Sequence, residues 1–426
     1  MQMSQTKIGI GDIGLYLPDP EMDMNNLIRS RSETHPQLIR IMKRAINHTG
    51  QKSFRFPEPW EDTASLAANS ATEVLDRLTE GEREGIRYLS VGTETAVDHA
   101  KPVASYVQGM LNAAGYGLGN SMTTFEVKHA CAAGTAALLS TASMLSLAGT
   151  AEEKALVISS DIARYEAPST AEITQGAGAV SLLLEKNPGL LELDLSRQGF
   201  YASDVDDFFR PLGSVTAKVK GRYSMECYQE ALEKALDDFA RRSGTDSSGL
   251  LDEIDYVAFH VPFAKMPETA LRKLLRNSFG KDDDAVDDFM KRSGFLEAMY
   301  LSERFGNLYN ASLYTYLMAL LHQEYQKHGR DIIGKTILIS SYGSGNTMMV
   351  FTGTIAAGAE EVIRLWNLEK WKNSARNADF SEYSAWLSRP ENLEEWQKIL
   401  DSARPSAGRF HLKGFGKTGL RIYSRE

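Results

Sequence analysis

The sequence predicts an α/β protein built from two similar halves, and three observations predict it. β-type runs alternate with Ala-rich or amphipathic helical stretches. A long segment from Ala130 to Ala151 carries no charge yet consists of small residues, as a helix inside a large protein would. A similar order of elements then returns in the second part of the chain.

Taken in order, "KIGIGDIGLYLP" opens with a strand, and "IRYLSVGTET" and "KALVISSDIARY" are buried-strand patterns. A helix is expected to begin just past Cys131, in "HACAAGTAALLSTASML". "AVSLLLEK", after the turn "TQGAG", is another strand. In the second half "IDYVAFHVPF" matches "IRYLSVGTET", and "FGNLYNASLYTYLMALLH" matches the helix after Cys131. "KTILISSYGSGNTMMVFTG" corresponds to "KALVISSDI" and "GAVSLLLEK". The strand ends are offset by 260 − 94, or 166, and the helix starts by 307 − 131, or 176. The acidic stretch "KDDDAVDDFMKRSG", read as a loop, accounts for the difference as an insertion. "RRSGTDSSGLLDE" reads as a solvated turn. From about residue 359 the chain is charged and tryptophan-bearing, which suggests surface helices closed by a strand pair in "GRFHLKGFGKTGLRIYS".

Composition narrows the function classes. The 426 residues exceed one ordinary domain, and 42% hydrophobic with 24% charged residues is a soluble globular profile. A net charge of −9 without a basic tract argues against nucleic acid. Ser and Thr throughout the Ala130–Ala151 segment make it poor for lipid, so no membrane span is expected. Two cysteines form no disulfide framework, and "MQMSQTKIGIG" lacks a signal pattern, which makes the cytoplasm the default location. Gly9, Gly11 and Gly14 match G-x-G-x-x-G, but Pro18 and Pro20 forbid the helix a dinucleotide would need there. No Walker A loop or zinc spacing occurs, and no metal site is expected.

Cys131 stands out. A thiol at a helix N-terminus feels the positive end of the macrodipole, which favours thiolate, and the same N–H groups can hold an oxyanion. The alternative is an inert buried cysteine, the reading given to Cys227 on its amphipathic helix. His260 ends an apolar strand, where side chains emerge into clefts, or is a satisfied core histidine. Asn307 precedes a helix and can simply cap it. Glu94 closes a strand and can be an exposed carboxylate. In the repeat, Glu94 and His260 occupy matching strand ends, and Cys131 and Asn307 matching helix starts.

These residues lie in blocks that resemble the 3-hydroxy-3-methylglutaryl-CoA synthase family of the thiolase-fold superfamily: "VGTETAVDHAK", "ACAAGTAAL", "SSDIARY", "TQGAGAV", "DFFRP", "FHVPFAKM", "FGNLYNASLY" and "SYGSG". The resemblance implies a five-layer αβαβα thiolase-like fold and a homodimer. Its halves would be residues 1–188, carrying Glu94 and Cys131, and 189–426, carrying His260, Asn307 and a C-terminal extension. It implies condensation of acetyl-CoA with acetoacetyl-CoA to HMG-CoA and CoA, a reaction of the mevalonate route to isoprenoids. CoA thioesters are substrates, and no metal or redox cofactor is required. By resemblance Cys131 takes the acetyl group, Glu94 is the base at its methyl, His260 positions and polarises acetoacetyl-CoA, and Asn307 supports that substrate's carbonyl. Lys265 matches a lysine near the CoA phosphates, and Tyr165, Thr174, Ser214 and Ser344 match positions near the acyl group. The chemistry suits these types: a carbanion next to a thioester needs a base beside it and donors on its oxygen, and a carboxylate in a dry cleft has its pKa raised towards neutrality.

Two departures from the family pattern stand out. Ala132 replaces an aromatic after the cysteine, which is expected to reshape the acyl pocket, and Asn310 stands where the family often has Thr. Rival readings keep part of the pattern. A relative acting on acetoacetyl-acyl carrier protein in polyketide assembly shares all of it. A ketoacyl synthase shares Cys, His and Asn but lacks the Glu94 base. A papain-like protease shares the chain order only, without the flanking signature of its cysteine. A non-catalytic scaffold would have no need of the four residues together.

Overall fold

The computed structural model describes residues 7–244, 250–388, 390 and 392–426. The first six residues of the opening stretch and the centre of "RRSGTDSSGLLDE" lie outside them. Nine strands form one sheet: β1 (Ile8–Tyr16), β2 (Ile86–Gly92), β3 (Thr123–Val127), β4 (Lys154–Ala163), β5 (Gly176–Lys186), β6 (Leu191–Ala202), β7 (Tyr256–Phe259), β8 (Thr336–Gly343) and β9 (Thr347–Ile355). Their order is β7-β8-β9-β6-β1-β5-β4-β2-β3.

That order is the internal repeat made visible. Outward from β1 run β5, β4 and β2, paired antiparallel, antiparallel and parallel. Outward from β6 run β9, β8 and β7 with the same three senses. The two series meet through the short antiparallel contact of Gly9 and Ile10 with Glu192 and Leu191. Parallel pairing needs covered faces, and β4 and β8, which carry the parallel pairs, are accordingly almost wholly buried.

Five layers result. Helix Thr63–Leu75 covers the outer face of the first half-sheet, and helix Gly221–Ser243 that of the second. Between them lie helices Ala133–Ser146 and Asn310–His328, which touch each other and the strands of both halves. Their burial explains their composition: small and apolar residues all round let two helices sit between two sheets. Thus the uncharged Ala130–Ala151 stretch is buried along most of residues 132–142 and exposed at Leu147 and 149–151, and among the described residues no helix is long and apolar enough to cross a membrane.

Two expectations change. The stretch "KDDDAVDDFMKRSG" is no loop but helix Asp283–Arg292, capped by the Asp282 carboxylate and burying Val286, Phe289 and Met290. Its acids sit in the first turn and its bases in the last, which complements the helix dipole. The C-terminal extension does form short helices and a strand pair, Phe410–Phe415 with Arg421–Arg425. Its tryptophans, however, are buried anchors: Trp366, Trp371, Trp386 and Trp396 all face inward. The pair is clamped to helix Thr63–Leu75 by reciprocal bonds, Asn69 Nδ2 to Phe410 O at 2.9 Å and Phe410 N to Asn69 Oδ1 at 2.7 Å.

Candidate active site

A cleft of about 890 Å³ opens between the halves, a size suited to a small-molecule ligand. Cys131, Tyr165, Thr174, His260, Asn307 and Ser344 all line it. Glu94 stands behind the thiol, with Cys131 Sγ 3.7 Å from Glu94 Oε1. Close backbone approach brings them together: a Cβ on Gly92, at the end of β2, would fall 2.3 Å from Gly134 N. Two glycines therefore let the strand end meet the helix start, so the base and the nucleophile share one corner.

The helix that follows Cys131 begins at Ala133 and lacks a side-chain cap of its own. Its Gly134 N–H is instead taken by Asn310 Oδ1 at 2.7 Å, from the other half of the chain. This changes the expectation for the thiol. One N–H of that first turn is thus occupied, and burial together with the nearby Glu94 and Asp161 carboxyls pushes the Cys131 thiol well above its usual range. The resting sulfur is a thiol that donates to Glu94.

Glu94 is held from three sides. Burial pushes its carboxyl up to about 8, against the opposing pull of Arg210. Arg210 donates to Glu94 O at 2.6 Å and to Oε2 at 3.2 Å. Asp161 Oδ1 accepts from the Glu94 backbone N–H at 2.9 Å, and from the hydroxyls of Thr93 at 2.9 Å and Thr95 at 2.8 Å. Its Oδ2 accepts from Asn310 Nδ2 at 2.7 Å. One buried carboxylate thus ties the base's backbone to the amide that caps the nucleophile's helix. Asp161, Arg210 and Asn310 were not singled out as site residues by sequence reasoning. The signals were present: an acid inside the apolar run "LVISSDIA", an arginine in "DFFRP", and the Asn310 departure.

His260 follows β7 and is buried, with Nδ1 lacking a hydrogen-bond partner. Burial alone pulls its imidazole down to about 3, so the ring is neutral at working pH and offers one N–H and one lone pair. Asn307 braces the turn and lines the cleft. Its Oδ1 accepts from Tyr309 N at 2.9 Å and Ser312 Oγ at 3.2 Å, bracing the turn. Its Nδ2 points to Tyr165 OH at 3.3 Å on the cleft wall.

The weaker assignments separate. Thr174 lines the cleft and spends its hydroxyl on Ala171 O at 3.1 Å, while Ser344 lines it from the turn after β8. Ser214 bonds Thr216 O within its own loop at 2.8 Å and is not on the cleft wall. Lys265 is also off the wall, its Nζ donating to Asn47 O at 2.9 Å; the cations at the mouth are Lys218, Arg222 and Lys273. Ala132 is fully buried, its Cβ packed beneath Gly343, and does not line the cleft. Its small size therefore acts on packing behind the nucleophile, because the side chain points away from the acyl space.

A buried polar chain braces the cleft wall from outside. Gln175 Oε1 accepts from Tyr165 N at 3.0 Å, and its Nε2 donates to Tyr383 OH at 2.6 Å. Tyr383 donates to Glu172 Oε1 at 2.8 Å, and Glu172 is paired with Arg31. Tyr383 belongs to helix Phe380–Leu387, so the C-terminal extension reaches the segment that carries Tyr165 and Thr174.

Known proteins share this arrangement of sequence and fold. A hydroxymethylglutaryl-CoA synthase of Enterococcus faecalis is 29% identical over 399 residues, covering 94% of this chain and 96% of its own. A polyketide biosynthesis 3-hydroxy-3-methylglutaryl-ACP synthase, PksG, of Bacillus subtilis is 29% identical over 336 residues, 76% of each chain. The structure of MvaS in complex with 3-hydroxy-3-methylglutaryl coenzyme A matches with a TM-score of 0.83 and 31% identity over 99% of both chains. The fold is thus thiolase-like, as the five layers and repeated strand order suggested. Models of the N-terminal and C-terminal regions of hydroxymethylglutaryl-coenzyme A synthase match residues 5–188 and, in two overlapping segments, 191–295 and 285–424. With nearly the whole chain matched, the protein belongs to the hydroxymethylglutaryl-CoA synthase family.

Proposed function

We propose that the protein condenses the acetyl group of acetyl-CoA with acetoacetyl-CoA, giving 3-hydroxy-3-methylglutaryl-CoA and free CoA. The observation that carries this reading is the Cys131–Glu94 contact of 3.7 Å in a cleft shared with His260 and Asn307. In the first step Cys131 Sγ attacks the acetyl-CoA carbonyl, its proton passes to the Glu94 carboxylate, and CoA leaves taking that proton from Glu94, which restores the base. Glu94 then removes a proton from the acetyl methyl. The resulting carbon adds to the ketone of acetoacetyl-CoA, whose oxygen accepts from neutral His260 and takes up a proton. Water finally cleaves the thioester to Cys131, leaving a carboxylate on the product. Asn307 Nδ2 serves the acceptor's carbonyl, because its own oxygen is committed to the turn. Lys218, Arg222 and Lys273 suit the phosphates of the thioester at the mouth.

A second reading is supported by the likeness to the ACP synthase of Bacillus subtilis and by exposed Leu212 and Val215 in the loop that leads to cleft-lining Ala217. Here the acetoacetyl group rides on an acyl carrier protein. The test is a thiol-release assay with acetyl-CoA plus either acceptor, with product identification by mass spectrometry. Turnover of acetoacetyl-CoA supports the first reading, turnover of the carrier-bound form alone supports the second, and no turnover of either removes both.

We take the halves to divide at 188/189 and the working form to be a cytoplasmic homodimer. The dimer is supported by β3, an edge strand whose outer side is unpaired among the described residues. Light scattering that returns only monomer would remove it.

A further inference from the structure

We propose that Tyr309 is a catalytic residue whose phenolic hydroxyl donates a hydrogen bond to the carbonyl oxygen of the acyl group carried on Cys131; this rests on the acetyl-cysteine reading above. Tyr309 is fully buried and lines the cleft, and its hydroxyl makes no hydrogen bond of good geometry. Tyr165 and Arg210 are its polar neighbours, but a buried hydroxyl without a well-formed hydrogen bond is rare in a native protein and calls for a partner that arrives with a ligand.

The placement is enforced by the chain. Tyr309 precedes helix Asn310–His328 with φ 47° and ψ −112°, a conformation a side-chain-bearing residue seldom adopts. Asn307 Oδ1 fixes it there by accepting its N–H. Its ring meets Phe208 and Tyr165 edge-on, with centroids at 5.8 and 6.3 Å, and the Arg210 guanidinium lies 5.9 Å from its centroid. Cys131 packs against this same cluster, so the ring borders the space into which an acyl group on sulfur extends. Strained backbone together with an unpaired polar group marks a site where structure is spent on function.

The chemistry fits a neutral donor. When a methyl proton passes to Glu94, the C–H electron pair delocalises onto the acyl oxygen, which gains negative charge. Tyr309 keeps its proton and stabilises that oxygen; nothing is oxidised or reduced. Burial, with Tyr165 and Glu94 nearby, holds the phenol well above its usual range, so it stays protonated.

The experiment uses Tyr309→Phe, which deletes only the hydroxyl and keeps the ring packing. Wild type and variant are incubated with acetyl-CoA, acetyl-Cys131 is quantified by mass spectrometry, and exchange of the acetyl methyl protons with deuterated solvent is timed. The expected result is wild-type acetyl stoichiometry with exchange slowed by about 10- to 1000-fold. Exchange at the wild-type rate overturns the proposal. If wild type itself takes no acetyl group, the underlying reading fails instead, which is a distinct outcome. Should the variant lose acetylation through misfolding, 3-fluorotyrosine placed at 309 decides. Its more acidic phenol must change the exchange rate, and an unchanged rate overturns the assignment.

Discussion

The turn at 129–134 and the turn at 305–310 occupy equivalent places in the two halves, yet they do opposite work. The first leads from strand β3, and the second from the short helix Ser302–Phe305, into a central-layer helix, Ala133–Ser146 or Asn310–His328. Each carries left-handed backbone, at Ala130 (φ 40°) in the first and at Gly306 (φ 81°) and Tyr309 (φ 47°) in the second. The first presents a thiol. The second presents amides and a phenol, and one of those amides, Asn310, caps the helix of the first. Duplication provides the frame, and divergence at two turns makes one a nucleophile and the other its support.

The largest expected effect tests whether the first turn is chemically unique. Cys131→Ala should abolish acetyl labelling by acetyl-CoA and lower turnover by about 10⁴-fold or more, read by mass spectrometry and thiol release. Retained labelling would move the nucleophile elsewhere. Next, Glu94→Ala should slow condensation by about 10²- to 10⁴-fold and slow acetylation as well, because the group that takes the Cys131 proton is gone. The pH profile sharpens this. A base whose pKa is raised to about 8 is mostly protonated at pH 7 and gains its active form as pH rises. The condensation rate should therefore climb with unit slope up to about pH 8, and the Glu94→Ala variant should lose that limb.

A third substitution breaks the link between the turns. Asn310→Ala frees the Gly134 N–H and removes a donor from Asp161, and should cost about 1–3 kcal/mol of stability by calorimetry. At the same time the freed N–H should help a thiolate, so alkylation of Cys131 by iodoacetamide should reach its half-maximum at lower pH. A smaller effect is expected further out. Tyr383→Phe interrupts the chain from the C-terminal extension to Tyr165, and should raise KM for the acetoacetyl substrate a few-fold while leaving Cys131 acetylation unchanged. Altered acetylation would show that the extension acts on the first turn as well.

Much of the frame was legible from local pattern. β-rich runs and small-residue helices are short-range signals, so strands such as Lys154–Ala163 and the helix after Cys131 were found close to their actual bounds. The acidic stretch at 283–292 was misread because its apolar side, Val286, Phe289 and Met290, is sparse among charges. The buried tryptophans of the extension were misread because charge around them masks a narrow inward face. Family blocks pointed to Cys131, Glu94, His260 and Asn307, and the first, third and fourth do share one cleft, with Glu94 behind the sulfur. Lys265 and Ser214 share the blocks but turn to local partners, Asn47 and Thr216, because motif position does not fix where a side chain points.

By itself, then, the sequence determined the order of elements, the doubling of an α/β unit, and which residue types stand at strand ends and helix starts. Those follow from periodicity and turn chemistry, which act over a few residues. Only the tertiary structure decided the electrical state of the site. Whether a cysteine at a helix start is thiolate depends on its burial and on the charges beside it, and here burial and the Glu94 and Asp161 carboxyls keep it a thiol. Burial and hydrogen-bond partners are long-range properties, and they hold the sulfur protonated, the base near pH 8, and one phenol without a well-formed hydrogen bond.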